Sequence, residues 1–93
     1  ERHFQREVEV IPLTFLVSGK LPIDDLNTVT GLAVSNQAYD TVGGWVLDLF
    51  GRVPRKAERT ETEEAVVTVE KVERTRVIEV RVMLRKPARE AAA

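Results

Sequence analysis

The chain is expected to be an α+β domain, two short helices packed on a mainly antiparallel β-sheet. Three observations predict this. An alternating apolar run, EVEVIPLTFLVSG, lies near the start, two segments with helical apolar spacing follow it, and the last third alternates again with many β-branched residues. Helices grouped together, with strands segregated from them, favour helices covering one face of an antiparallel sheet.

The elements follow in order. In the first run Leu13, Phe15 and Val17 share one face of a strand, and Thr14, Leu16 and Ser18 share the other. Pro12 cannot donate to a ladder, so the strand starts there or passes an edge, and Gly19 marks a turn. KLPIDDLNTVTGL then reads as a short helix. Pro22 sits near its start, where a missing amide hydrogen costs nothing, and Asp24 and Asp25 complement the positive end of the helix dipole. Ile23, Leu26 and Val29 are expected to face inward, with Gly31 as the C-terminal cap.

After a small, polar connecting loop, AVSNQAY, comes YDTVGGWVLDLFGRVP. Val42, Trp45, Val46, Leu49 and Phe50 form the core-facing stripe of a second helix. Asp40 is the expected N-cap, Gly51 the stop, and Pro54 prevents continuation. Gly43 and Gly44 are costly in this frame, roughly 1 kcal/mol each relative to alanine. Close approach of another backbone would compensate that cost. An anion seated at the helix start is the alternative use of bare backbone. Packing is preferred, because no Lys or Arg accompanies the glycines in the sequence.

RKAERTETEE, with three positive and four negative charges, is a solvated loop or a polar edge strand. Ala65–Val72 and the run holding Ile78, Val80, Val82 and Leu84 form a hairpin, the latter four on its buried face. The reversal near residues 73–75 lacks Gly or Asn, which predicts a longer loop or a bulge.

Composition bounds the function more by exclusion than by assignment. The 93 residues make one domain with a modest core. Fourteen basic and 15 acidic residues, intermixed to a net charge of −1, give no electrostatic reason to favour nucleic acid or an anionic membrane. There is no cysteine, so disulfides and thiolate metal sites are absent. No run is long and apolar enough for a membrane helix, and no signal peptide is visible.

Candidate chemistry is sparse. Asp24 and Asp25 are weak candidates for a divalent-cation site, since hard cations prefer oxygen ligands, but helix-start stabilisation accounts for the pair without a metal. Gly43 and Gly44 are weak candidates for holding a ligand. His3, the one histidine, lies in a terminus with no Ser, Cys or Asp partner arrangement. Ser18 and Ser35 lack a nucleophile elbow, and TVGGWV is neither a dinucleotide fingerprint nor a P-loop. No catalytic residue and no cofactor are assigned, and an enzyme is not expected.

Taken together, GKLPIDDLN, YDTVGGWVLDLFGRVP and VVTVEKVERTRVIEVRVML resemble the CorC/HlyC transporter-associated domain. That family shows a P-[LI]-x-x-L-N helix, a Y-D-T-[LV]-[AG]-G helix ending G-R-[IV]-P, and a sheet ending E-V-x-x-x-R-I-x-x-V-R-V. The resemblance spans residues 8–84, leaving 1–7 and 85–93 as expected flexible termini. It departs after GRVP, where RKAER and TETEEA replace the usual Gly-Asp and Asp-Gly turns, and in the last hairpin, where VERTR replaces Asp-Gly.

The resemblance implies a fold similar to a subdomain of flavin-binding proteins, without implying a flavin here. It implies a place behind a transmembrane domain and a tandem CBS pair, in membrane proteins linked to magnesium and cobalt efflux, some called haemolysins. Related domains end certain cation/proton antiporters. The implied role is regulation of cation transport at the cytoplasmic face of the membrane, by docking onto the CBS pair and transmembrane domain of the same polypeptide. Two other functions stay open. One is small-ligand or divalent-cation sensing through Asp24, Asp25, Gly43 and Gly44. The other is dimerisation through an exposed strand edge, making a homodimer. No nucleic acid partner is expected.

Overall fold

The computed structural model describes residues 13–85. Strand β1 (Thr14–Ser18) leads into helix α1 (Ile23–Thr30) and helix α2 (Val42–Phe50), followed by strands β2 (Arg59–Glu61), β3 (Ala65–Glu73) and β4 (Arg76–Leu84). The strands form one antiparallel sheet in the order β1-β4-β3-β2. The molecule is α+β as expected, with both helices on one face. His3, the start of the apolar run and the expected flexible termini lie outside the described residues, apart from Arg85.

Register explains the core. Val17, Val80 and Val69 lie opposite one another across three strands, and Phe15, Val82 and Val67 form the next row. These rows floor a cluster closed above by Ile23 and Leu26 of α1 and by Val42, Trp45 and Val46 of α2. Each fully buried side chain of this size contributes roughly 1.5–3 kcal/mol relative to exposure. The other face of the sheet carries Leu16, Arg81 and Thr68 in a row, with the Arg81 Nε–Glu70 Oε2 ion pair at 2.8 Å.

Three expectations are corrected. Val29 is exposed at 55%, and Thr30 takes the inward place. Ile23, Leu26 and Thr30 stand at i, i+3 and i+7, one face of a 3.6-residue helix, whereas a strict three-residue step rotates off it. Thr30 satisfies its hydroxyl by donating to the Leu26 carbonyl at 2.7 Å, and it accepts from the Leu32 amide. On β4, the buried face passes from Val80 to Val77, leaving Ile78 only half-buried. The cause is a bulge: Val69 pairs with Val80, Lys71 with Glu79 and Val72 with Val77, so the parity of the pleat changes across it. The hairpin does contain the expected bulge, yet its turn is tight. Glu73 pairs with Arg76, and Arg74 adopts φ 57° without being glycine.

The third correction concerns the cap of α2. Thr41, not Asp40, is the N-cap, and its Oγ1 accepts from the Gly44 amide. Asp40 instead uses its carbonyl to accept from the Ile23 amide at 3.0 Å, part of a small bridge between Pro22 and Thr41. Both helices stop at left-handed glycines, Gly31 and Gly51, as expected. The polar segment after Pro54 does form an edge strand, β2.

Candidate functional site

The start of α2 is where distant parts of the chain meet. Residues 19–21 cross beneath it, and β4 lies beyond them. The Gly43 amide donates to the Gly19 carbonyl at 2.8 Å, the Val42 amide to the Leu21 carbonyl at 2.9 Å, and the Gly19 amide to the Ile78 carbonyl at 2.8 Å. A Cβ on Gly43 would stand 3.0 Å from the Gly19 oxygen and 3.5 Å from that of Val77. On Gly19 it would stand 1.9 Å from the Val77 oxygen. Three backbones therefore stack in a space that admits no side chain at two of them. Close approach accounts for Gly43.

Gly44 differs. It is exposed, and a Cβ there would meet only Thr41 Oγ1 at 3.7 Å. The packing explanation does not extend to it. Its place is at the mouth of a shallow cleft of about 290 Å³, whose floor includes Leu47 and Ile78 and whose rim includes Lys20 and Arg76. Sequence reasoning found no cation near the glycines, but folding supplies two, from positions with no local signal. The amides of the first turn are nonetheless engaged, with Trp45 N bonded to Thr41 O at 3.1 Å and the other three as given above. The donors that an anion would use at a helix start are already occupied.

Asp24 and Asp25 are exposed in the first turn of α1. Asp24 Oδ1 accepts from Asn36 Nδ2 at 2.7 Å, tying the helix to the following loop. Among the described residues, no three His, Cys, Asp or Glu side chains converge as metal ligands do. Asp48 is exposed, and it accepts from the Tyr39 hydroxyl at 2.5 Å. This bond raises the Tyr39 pKa above its ordinary value, with desolvation and the Asp48 charge adding to the shift. Beyond α2, Arg52 grips both oxygens of Glu58 at 2.9 and 2.6 Å, and the Arg55 amide donates to Glu58 Oε1. These bonds lower the Glu58 pKa to about 2. The ion pair staples the exit of α2 to the approach of β2.

Comparison with known proteins converges on one family. The transporter associated domain family CorC_HlyC matches residues 9–86. The magnesium and cobalt efflux protein CorC of Escherichia coli (strain K12) is 30% identical over 71 residues, covering 76% of this chain and 24% of that protein. The chain thus spans about a quarter of the length of the curated relatives it matches. Among solved structures, a putative Mg2+ and Co2+ transporter (CorC) associated region from Neisseria meningitidis MC58 is 24% identical with a TM-score of 0.72, covering 82% of this chain and 94% of that one. A hemolysin domain from Enterococcus faecalis V583 is 28% identical with a TM-score of 0.70, covering 83% and 94%. The transporter associated domain from a CBS domain protein of Porphyromonas gingivalis is 20% identical with a TM-score of 0.65, covering 74% and 85%.

Proposed function

The chain belongs to the CorC_HlyC family of transporter-associated domains, and on that premise we propose that it regulates divalent-cation transport by docking within a larger membrane protein. The observation that carries this reading is the family match over residues 9–86, supported by the kinship to a magnesium and cobalt efflux protein. In this proposal the domain sits at the cytoplasmic face of the membrane and docks onto a CBS pair of the same polypeptide. No helix among the described residues is long and apolar enough to cross a membrane, so in this reading the spans belong to the remainder of the parent protein.

The contact surface in this reading is the cleft beside Gly44. Lys20 and Arg76 offer two cations to an acidic rim, Leu47 and Ile78 offer apolar floor, and the stacked backbones beneath hold both in fixed relation. A rigid patch favours one transporter state over another by contacting them unequally, which is all that regulation requires. No side chain need react.

The test is calorimetric titration of this chain with the CBS pair of its parent protein, without and with Lys20→Glu plus Arg76→Glu. Measurable binding, weakened at least tenfold by the double substitution, is expected. Absence of heat at millimolar partner would refute docking. Heat on adding magnesium or cobalt alone would instead assign cation sensing to this domain, with Asp24 and Asp25 as the first residues to substitute.

A further inference from the structure

Gly44 is the glycine that packing leaves unexplained. It forfeits helix stability in the first turn of α2, and a Cβ there would find only Thr41 Oγ1, at 3.7 Å. Gly44 and Thr41 both line the cleft. A longer side chain at position 44 would add bulk at the opening, and glycine keeps it clear.

The lining carries one sign of charge. Lys20 comes from the turn after β1 and Arg76 from the start of β4, and no Asp or Glu lines the cleft. Arg52, Arg81 and Arg85 each hold a carboxylate, whereas among the described residues neither Lys20 nor Arg76 has an ion-pair partner. Glu73 stands directly opposite Arg76 in the β3–β4 ladder and forms no ion pair with it. The Ser18 and Thr41 hydroxyls accept from the Lys20 and Gly44 amides, so each has its proton to give. Polar side chains from three separate segments thus present donors, and an ionised phosphate or carboxylate presents only acceptors. The first-turn amides of α2 play no part, being engaged already.

We propose that this cleft binds a small organic anion, its phosphate or carboxylate head between Lys20 and Arg76 and its apolar body on Leu47 and Ile78. Size limits the ligand. The cleft holds about 290 Å³, at the bottom of the roughly 300–1,000 Å³ of drug-sized sites, which suits one ring or a short chain rather than a dinucleotide. Head and body are both needed, because two exposed cations hold a bare ion weakly in water. If the docking reading holds, the anion occupies the cations offered to the acidic rim, so ligand and CBS pair exclude one another. That consequence rests on docking, and the binding itself does not.

The experiment is a nitrogen–proton NMR titration of the 93-residue chain with phenyl phosphate, benzoate, inorganic phosphate and benzyl alcohol, each to millimolar concentration. The expected result is a saturable shift of the Lys20, Gly44 and Arg76 amides with phenyl phosphate or benzoate, the stronger of the two identifying the head group. Inorganic phosphate, which lacks the body, and benzyl alcohol, which lacks the charge, should each bind at least about tenfold more weakly. Lys20→Gln with Arg76→Gln should weaken phenyl phosphate by a similar factor. Gly44→Leu should abolish its binding with an unchanged far-ultraviolet spectrum, since the position is exposed and leucine favours a helix. The CBS pair is absent from every arm, so a failure of docking leaves these results untouched. Absence of a saturable shift overturns the proposal. So do shifts spread equally over Arg55 and Lys56, or binding that survives Gly44→Leu.

Discussion

Replacing each of three glycines by alanine separates packing from helix propensity within a single short region. Gly44→Ala removes the cost of a flexible residue in the first turn of α2 and adds a methyl group that meets only Thr41 Oγ1 at 3.7 Å, an ordinary contact. It should stabilise by about 0.5–1 kcal/mol. Gly43→Ala gains the same propensity term, but its methyl falls 3.0 Å from the Gly19 oxygen. That oxygen cannot retreat cheaply: it accepts from Gly43 itself, while the Gly19 amide is fixed to Ile78 on β4. The contact should outweigh the gain, leaving a net loss of about 1–2 kcal/mol, the usual size of an overpacking cost. Gly19→Ala places a carbon 1.9 Å from the Val77 oxygen, which no local adjustment relieves, and should cost more than about 4 kcal/mol. In a domain of this size 1 kcal/mol moves Tm by roughly 4–8 °C. Thermal unfolding followed by circular dichroism should therefore show Gly44→Ala above the parent, Gly43→Ala below it, and Gly19→Ala lowest or unfolded. If Gly43→Ala melts at or above the parent, the three-backbone stack is looser than described, and close approach no longer explains the glycine.

Other consequences can be checked with smaller perturbations. Thr41→Val keeps the shape of the N-cap but removes its acceptor, and should cost about 1 kcal/mol in denaturant unfolding, whereas Asp40→Ala should cost much less. The Glu58 carboxylate should titrate near pH 2 by NMR and return toward its ordinary value of 4.5 in Arg52→Gln. Its folded pKa is the depressed one. Its contribution to stability is therefore present above about pH 4.5 and is lost as pH falls toward 2. Tyr39, the one tyrosine, should form phenolate only above its ordinary pKa of 10, and Asp48→Asn should bring that midpoint down. Here the raised pKa means that the stabilising contact persists through neutral pH and fails only as alkaline pH passes the folded value.

Several features were legible in the sequence because their causes are local. The α2 stripe of Val42, Trp45 and Val46, the glycine stops and the charged edge strand each follow from spacing or composition within a few residues. The misreadings arose where distant residues decide. Asp40 and Thr41 are both good caps by type. The bridge to Pro22 takes up the Asp40 carbonyl and hands the capping role to Thr41. Val77 replaces Ile78 in the core because the β3–β4 register skips Glu70 on one strand and Ile78 on the other, which resets the pleat on both. Lys20 and Arg76 share a cleft only after β1 and β4 pair, so no inspection of the YDTVGG stretch could have placed cations beside it.

The same stack that excludes side chains also constrains the order in which the molecule assembles. Two amides in the first turn of α2 find their acceptors on residues 19 and 21, and residue 19 is itself secured by β4. The helix is thus completed only when the first and last strands, far apart along the chain, have come together. Its own nine residues are too few to persist alone in water. Hydrogen exchange at Val42 and Gly43 should accordingly report opening of the whole molecule, at the rate of the slowest strand amides, while the exposed end of the helix exchanges sooner.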